Sequence, residues 1–340
     1  MEAQKIIITG GAGYIGSHFI AQLLARHSTV DILVIDNLIS GSASRIKRIE
    51  DAMGVSLNFH KMDIRQEKEL THILKEFKPD KVVHFAALKS PTESIIKPLE
   101  YYDTNVTGTL TLLRAMEKAS CYHLIFSSSA AVYGDPEYLP IDETHPLQPL
   151  SPYGMSKKIG EQLISDQTKA IENFKAIALR YFNPVGAHRT LNIGEPLAEN
   201  PPNLIPATLN VLVGKRDYLS IFGDKFDTID GTGVRDYIDI LDLADGHIAA
   251  IEHIASLSDF NVFNLGRGSG LSVLECIELI ENATGEDIPK IVEAPRPGDI
   301  SSSYADCSSA RDILNWETKR DLEDTITSAI QWVNSSIEIV

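Results

Sequence analysis

The stretch Ile6–Phe19, "IIITGGAGYIGSHF", decides how the chain is read. An apolar β-branched run is followed at once by Gly10, Gly11, Gly13 and Gly16, and then by a segment of helical pattern. Glycines at this spacing let the turn reach positive φ and let the backbone approach a pyrophosphate. The last one permits close helix–strand packing. The helix N-terminus then presents free N–H groups to the phosphates. Asp36 ends the next apolar run, 20 residues after Gly16. A carboxylate there accepts hydrogen bonds from the adenosine ribose and repels a 2′-phosphate, which favours NAD over NADP. A glycine turn by itself is equally a tight turn in any α/β protein; strand, glycines, helix and acid in register give it meaning. A Walker-type loop is excluded, because Ser17-His18 stands where Lys-Ser/Thr would be required.

Outward from this stretch, short apolar runs alternate with helical patterns. Lys5–Thr9, Val30–Asp36, Lys81–Ala87, His123–Ser129 and Ala176–Phe182 read as buried strands. Tyr14–His27, Gln66–Phe77, Glu100–Lys118 and Tyr153–Ile171 read as helices. Near-continuous apolar strands separated by helices imply an α/β fold, a doubly wound parallel sheet covered on both faces. After about Pro184 the texture changes: Gly186–Pro206 is rich in Pro, Asn and Gly. A helix near Asn203–Val213, the short strand "LSIF", a loop returning to a strand and helix, and tail helices near Ser272–Thr284 and Leu322–Val333 follow. The expectation is a dinucleotide-binding Rossmann domain over residues 1–184. A smaller mixed α/β substrate-binding region over 185–340 is expected to send some segments back onto the first.

With 340 residues, 43% of them hydrophobic, the chain has ample material for a large core. No apolar run approaches the roughly 20 residues that cross a bilayer. The opening "MEAQKIIITGG" reads as a first strand and not as a signal peptide. Cys121, Cys276 and Cys307 are too far apart for a metal pattern and odd in number, which fits a reducing cytoplasm. A net charge of −16 without a basic run argues against nucleic acid or an anionic membrane as partner. His18, His84, His145, His188 and His247 form no ligand spacing, so no metal is expected and they read as packing or surface residues. Ser127–Ser129 lacks the G-x-S-x-G elbow of a hydrolase.

The stretch Ser151–Leu163, "SPYGMSKKIGEQL", places Lys157 one helical turn after Tyr153. Oxidation of an alcohol needs a base for the hydroxyl proton, and a phenol with pKa about 10 is a poor one at neutral pH. An ammonium about 5–6 Å away on the same helix face favours the phenolate. Bringing the phenol near 7 asks for about 4 kcal/mol of differential stabilisation. Alone, the pair is equally the polar start of a surface helix. Ser151-Pro152 opens that helix cleanly, and the preceding apolar run ends in hydroxyls where doubly wound sheets bind ligands.

Taken together, "TGGAGYIGSH", "HFAALKS", "PLEYYDTNVTGTL", "FSSSAAVYGD", "SPYGMSK", "LRYFNPVGAH", "DGTGVRDYI" and "DLADGH" resemble the UDP-glucose (UDP-galactose) 4-epimerase family of extended short-chain dehydrogenases/reductases, from about Lys5 to Trp332. The resemblance implies that Tyr153 takes the sugar 4-hydroxyl proton while hydride passes to tightly held NAD, and that the 4-keto sugar turns before hydride returns. Ser129 is implied to bind O4 and share the relay, and Lys157 to tune Tyr153 and bind the nicotinamide ribose. Cofactor contacts implied by motif, besides Tyr153 and Lys157, are Gly10, Gly13, Tyr14, Ile15, Gly16, Asp36 and Asn37. Asp63, Ile64, Phe85, Ala86, Lys89, Asn105 and Phe182 complete that set. Around the UDP-sugar the implied residues, with Ser129 and Tyr153, are Asn183, Asn203, Leu204, Phe222, Arg235, Arg296 and Asp299. Two guanidinium groups suit a diphosphate in an acidic protein, and each is alternatively a surface salt bridge.

Related dehydratases carry Asp and Glu after the Ser/Thr; here Ala130 and Ala131 stand there and can move no proton. In "PRPGDISSSYAD" the family position that lines the sugar pocket aligns with Ser303, small enough to admit a 2-acetamido group. UDP-GlcNAc and UDP-GalNAc are therefore expected as further substrates, unless the serine run is misaligned by one residue. The family also implies a homodimer through a four-helix bundle built from Glu100–Lys118 and Tyr153–Ile171. A nucleotide-sugar oxidoreductase with exchangeable cofactor and a non-catalytic NAD sensor are the alternative readings. The intact Tyr153, Lys157 and Ser129 set speaks against the sensor.

Overall fold

The computed structural model describes residues 3–27, 29–199, 201–296 and 298–337, so the two outermost residues of the N-terminal stretch lie outside it. Seven strands form one sheet: β1 Gln4–Thr9, β2 Val30–Asp36, β3 Asn58–Lys61, β4 Lys81–His84, β5 His123–Ser127, β6 Lys175–Tyr181 and β7 Phe260–Leu265. Their order is β7-β6-β5-β4-β1-β2-β3, and every neighbouring pair is parallel. Alternation along β1 explains the two-sided cover. Ile6 and Ile8 pack with Phe19, Leu23, Leu243 and Ile248 on one face. Ile7 joins Leu70, Leu74, Leu112 and Met116 on the other. These isoleucines have no exposed surface, and each contributes about 1.5–3 kcal/mol of apolar burial. The chain order reverses between β1 and β4, and there the carboxyl ends of the strands open a crevice.

The strands β4 and β5 stop short of the expected Ala87 and Ser129. Phe85 N–H still bonds Thr9 O, but the chain then leaves the sheet to wall the crevice. Ser129 starts the short helical turn Ala130–Val132 instead of extending β5. The expected helix Glu100–Lys118 is not uniform: Pro98–Tyr101 and Gly108–Lys118 flank a π-helical turn, Tyr102–Thr107. Periodicity counts the apolar residues and does not see the one-residue widening, a feature frequent at functional sites. Helix Ala43–Met53, strand β3 and helix Ser308–Leu314 were not anticipated. Nor was β7, which comes from residues 260–265 and completes the sheet beside β6.

Beyond β6, Asn183–Val185 pairs with Tyr237–Asp239, and Val234–Arg235 lies between Leu271–Ser272 and Ser302–Ser303. Helices Leu204–Leu212, Val273–Thr284 and Leu322–Ile337 cover separate apolar clusters there, around Tyr237 and Ile280 and around Leu219 and Ile277.

Candidate active site

At the crevice, Gly10 takes φ +73° and a Cβ on it would sit 2.5 Å from Ala86 N; only glycine fits. A Cβ on Gly16 would lie 2.5 Å from Gly10 O, so the turn and the helix Tyr14–Arg26 close on each other. That helix starts at Gly13 without a side-chain cap, which leaves its first N–H groups to a ligand. Asp36 accepts from Ala12 N at 3.1 Å and Leu38 N at 2.7 Å and faces the cleft; burial raises its pKa. Asn37 donates to Asp63 at 3.0 Å, and Arg65 grips the same carboxylate, holding its pKa down to about 2. An uncapped helix end beside a glycine turn, with a carboxylate one strand over, fits a dinucleotide.

Of the residues expected at the cofactor, all but Asn105 and Phe182 line this one cleft. Asn105 instead lies behind it, bonding Leu88 N, Leu88 O and Ser156 Oγ at 2.8, 3.0 and 2.9 Å. It holds the wall and does not form it. Phe182 packs with Val132, Tyr133 and Ile141, and its neighbour Tyr181 takes the place on the cleft. Met62, Leu88, Thr104 and Pro196 also line it and were missed. Thr104 gets there through the π-helical turn, which no spacing rule anticipates.

Ser151 caps the helix Pro152–Ala170 through Gly154 N at 3.1 Å, fixing Tyr153 in the first turn. Tyr153 is buried and hydrogen-bonded to Ser129. Gly154 allows this approach, since a Cβ there would lie 2.4 Å from Ala131 O. The Tyr101 ring stands edge-on to Tyr153 at 6.5 Å and is fully buried. Lys157 Nζ donates to Ser127 O at 2.7 Å and lies 6.0 Å from the Tyr153 ring centroid.

The expected lowering of the phenol by Lys157 is absent in the chain alone. Burial pushes Tyr153 up, with only the Ser129 hydrogen bond opposing it. Burial likewise brings Lys157 down to about 7, opposed by Glu161. Both groups lose water on packing, and neither recovers that cost from the other. A pH consequence follows for the cofactor-free protein. Between about 7 and the ordinary 10.5 the folded chain binds fewer protons at Lys157 than the unfolded chain. This group's penalty is complete below pH 7 and fades as pH rises. Lys157→Met is expected to flatten that rise, seen as urea midpoints that climb less from pH 7 to 9 than in the unmodified chain.

Beneath Lys157 lies a buried pair that sequence reading missed. Arg180 Nη2 meets Glu161 Oε2 at 2.6 Å, Arg180 Nε donates to Oε1 at 3.0 Å, and Ser128 Oγ donates to the same Oε1. Arg180 also donates to Tyr133 Oη, which donates to Asn264 Oδ1 at 2.6 Å. The carboxyl ends of β5 and β6 are thereby fixed under Ser129. The sequence signal was present: Glu161 follows Lys157 by one helical turn on the face that carries Tyr153.

On the other side, Arg235 is tied to Val234 O at 2.8 Å, and burial lowers its pKa; it is no surface salt bridge. Arg296 does form an ion pair, with both Asp299 oxygens, and stacks over Phe222 at 4.7 Å. Its Nη1 donates to Pro202 O, next to Asn203 and Leu204. Ser303 is buried and pairs with Arg235 in register, while Asn183 N bonds Asp236 O. Asn183, Arg235 and Ser303 are thus knitted by backbone, and Phe222, Arg296 and Asp299 by side chains. Gly298 lies against Leu150, just ahead of the Tyr153 helix. Of the histidines, His18, His84, His145 and His247 are buried packing residues with hydrogen-bonded rings. Among the described residues no three His, Cys, Asp or Glu side chains converge for a metal.

This geometry can be set beside known proteins. A sequence model described as GDP-mannose 4,6 dehydratase matches residues 7–329. UDP-glucose 4-epimerase 2 of Arabidopsis thaliana is 44% identical, over 98% of this chain and 96% of its own. The structure of a UDP-glucose 4-epimerase from Stenotrophomonas maltophila, solved with NAD and formylated UDP-arabinopyranose, superposes with a TM-score of 0.95 at 39% identity, covering 99% of this chain and 100% of that one. The Bifidobacterium longum enzyme, solved with NAD+ and UDP, gives 0.93 at 40%, covering 98% and 99%. The dehydratase description names the broad family; the full-length relatives are epimerases, in keeping with Ala130 and Ala131 after Ser129. The chain belongs to the UDP-glucose 4-epimerase family.

Proposed function

We propose that this protein interconverts UDP-glucose and UDP-galactose by inversion at C4, with NAD held in the cleft. The observation that carries the reading is the convergence of Tyr153, Ser129 and Lys157 at the end of a cleft walled by the glycine turn and Asp36. NAD, when bound, supplies the hydride acceptor for C4 and a cationic ring beside the phenol. The chain's own residues handle the proton. Tyr153 receives it from the 4-hydroxyl, Ser129 relays it, and Lys157 supports the phenolate and holds the nicotinamide ribose. Ala130 and Ala131 offer no second acid or base, so the 4-keto sugar has no route to lose water and regains hydrogen at C4.

Arg235 and Arg296 bind the diphosphate, with Asp299 giving up part of its hold on Arg296 as phosphate oxygens replace it. Asn183, Asn203, Leu204, Phe222 and Ser303 complete the substrate side. Residues 1–184 act as the cofactor unit and 185–340 as the substrate unit, with β7 packed back into the sheet. Helices Gly108–Lys118 and Pro152–Ala170 lie side by side, and Ile96 and Leu99 ahead of them are exposed apolar residues. This arrangement supports a homodimer through a four-helix bundle, to be checked by light scattering. No helix among the described residues is long and apolar enough to cross a membrane, and a cytoplasmic location is part of the proposal.

Purified protein is expected to convert UDP-galactose without added cofactor. Absolute dependence on added NAD, with net NADH accumulation, would instead identify an oxidoreductase. Ser303 is small and sits beside Arg235, which supports UDP-GlcNAc and UDP-GalNAc as further substrates. Ser303→Tyr is expected to cut the N-acetyl activity at least about tenfold while sparing UDP-galactose. Equal losses on both, measured as kcat/KM, would remove that assignment.

A further inference from the structure

One buried cation has no part in the chemistry above. Arg45, on the inner face of helix Ala43–Met53, is 6% exposed. Its Nη1 donates to Ala12 O at 3.1 Å, inside the glycine turn, and its Nη2 to Gly194 O at 3.3 Å. Gly194 belongs to a strap, residues 193–196, that runs along the cleft and places Pro196 in its lining. From the opposite wall, just after β4, Lys89 Nζ reaches Glu195 Oε1 at 2.8 Å. The strap is also fixed from outside. The Trp332 indole N–H donates to Glu195 O at 2.8 Å, and a Cβ on Gly194 would lie 2.5 Å from the Trp332 ring. Asp36, Ala12, Arg45, Gly194, Glu195 and Lys89 are therefore linked in one chain of contacts from one side of the cleft to the other.

We propose that Arg45 and Glu195 make this chain of contacts a belt that retains the bound dinucleotide between turnovers: Arg45 ties the phosphate turn to the strap, and Glu195 pairs with Lys89 across the cleft mouth. The proposal rests on the NAD reading of the cleft. Both are positioning residues that touch no reacting atom. In a chain of net charge −16, Arg45 also offsets Asp36 and Glu195 close to where phosphates bind. The Lys89 and Glu195 side chains are 54% and 18% exposed, so the pair is open to salt.

The test follows exchange of bound NAD for added NADH by the fluorescence of bound NADH. Glu195→Gln keeps the shape and removes the charge; exchange is expected to quicken about fivefold at low ionic strength, and turnover with saturating NAD to stay within about twofold. Arg45→Met is expected to quicken exchange at least about tenfold, with Arg45→Lys in between. Salt should accelerate exchange in the unmodified protein and leave Glu195→Gln nearly unchanged, a readout that holds even if Arg45→Met does not fold. Exchange from Glu195→Gln at the unmodified rate, with equal salt response, overturns the proposal. Failure of the unmodified protein to bind NAD in equilibrium dialysis would instead overturn the cofactor reading itself, before any variant is compared.

Discussion

Tyr153→Phe is expected to lower turnover of UDP-galactose by about a hundred- to ten-thousand-fold while NAD remains bound. The ring keeps its edge-on contact with Tyr101, so the fold has no reason to change. What is lost is the phenol hydrogen-bonded to Ser129. Burial raises the Tyr153 pKa, so positive charge entering the cleft favours its basic form. The measurement is kcat together with the NAD content of the purified variant. A variant that keeps near-full rate would remove Tyr153 as the base.

Arg180→Leu is expected to destabilise the protein by about 3–5 kcal/mol, because it leaves the buried Glu161 carboxylate without its cation. Glu161 and Arg180 are both nearly inaccessible, and two parallel hydrogen bonds join them. The double variant Glu161→Leu/Arg180→Leu is expected to regain most of that loss, since the pair's worth against an apolar replacement is small. Turnover should nevertheless stay low in the double variant. Ser128 then has no carboxylate to bond, and the Ser129 turn loses its anchor. Urea midpoints read the first effect and kcat the second. A single variant as stable as the unmodified chain would show that Glu161 is held by other groups.

The site's chemistry was legible wherever it depends on residues close in sequence. Gly10 to Gly16, Asp36, and the Tyr153–Lys157 pair act through fixed local geometry, a turn, a strand end and one turn of helix. Asn105 and Phe182, carried over by motif, sit outside the lining of the cleft in the chain alone, one bonded to Leu88 and Ser156 and the other packed with Tyr133 and Ile141. Arg45 and Glu195 were illegible for another reason: each gains its meaning from a partner more than a hundred residues away, whereas Glu161 stood in register with Lys157 and only its partner Arg180, 19 residues on, was hidden.

By itself, then, the sequence determined the doubly wound α/β fold and its glycine turn, and it nominated Tyr153, Lys157 and Ser129 for proton handling, because these follow from short-range periodicity and from which groups exchange protons at all. Only the tertiary structure decided that β7 completes the sheet, that residues 193–196 come to the cleft, and that Tyr153 and Lys157 are each shifted against their charged forms. Those outcomes depend on which surfaces are removed from water when distant segments pack, and burial is a property of the folded chain as a whole.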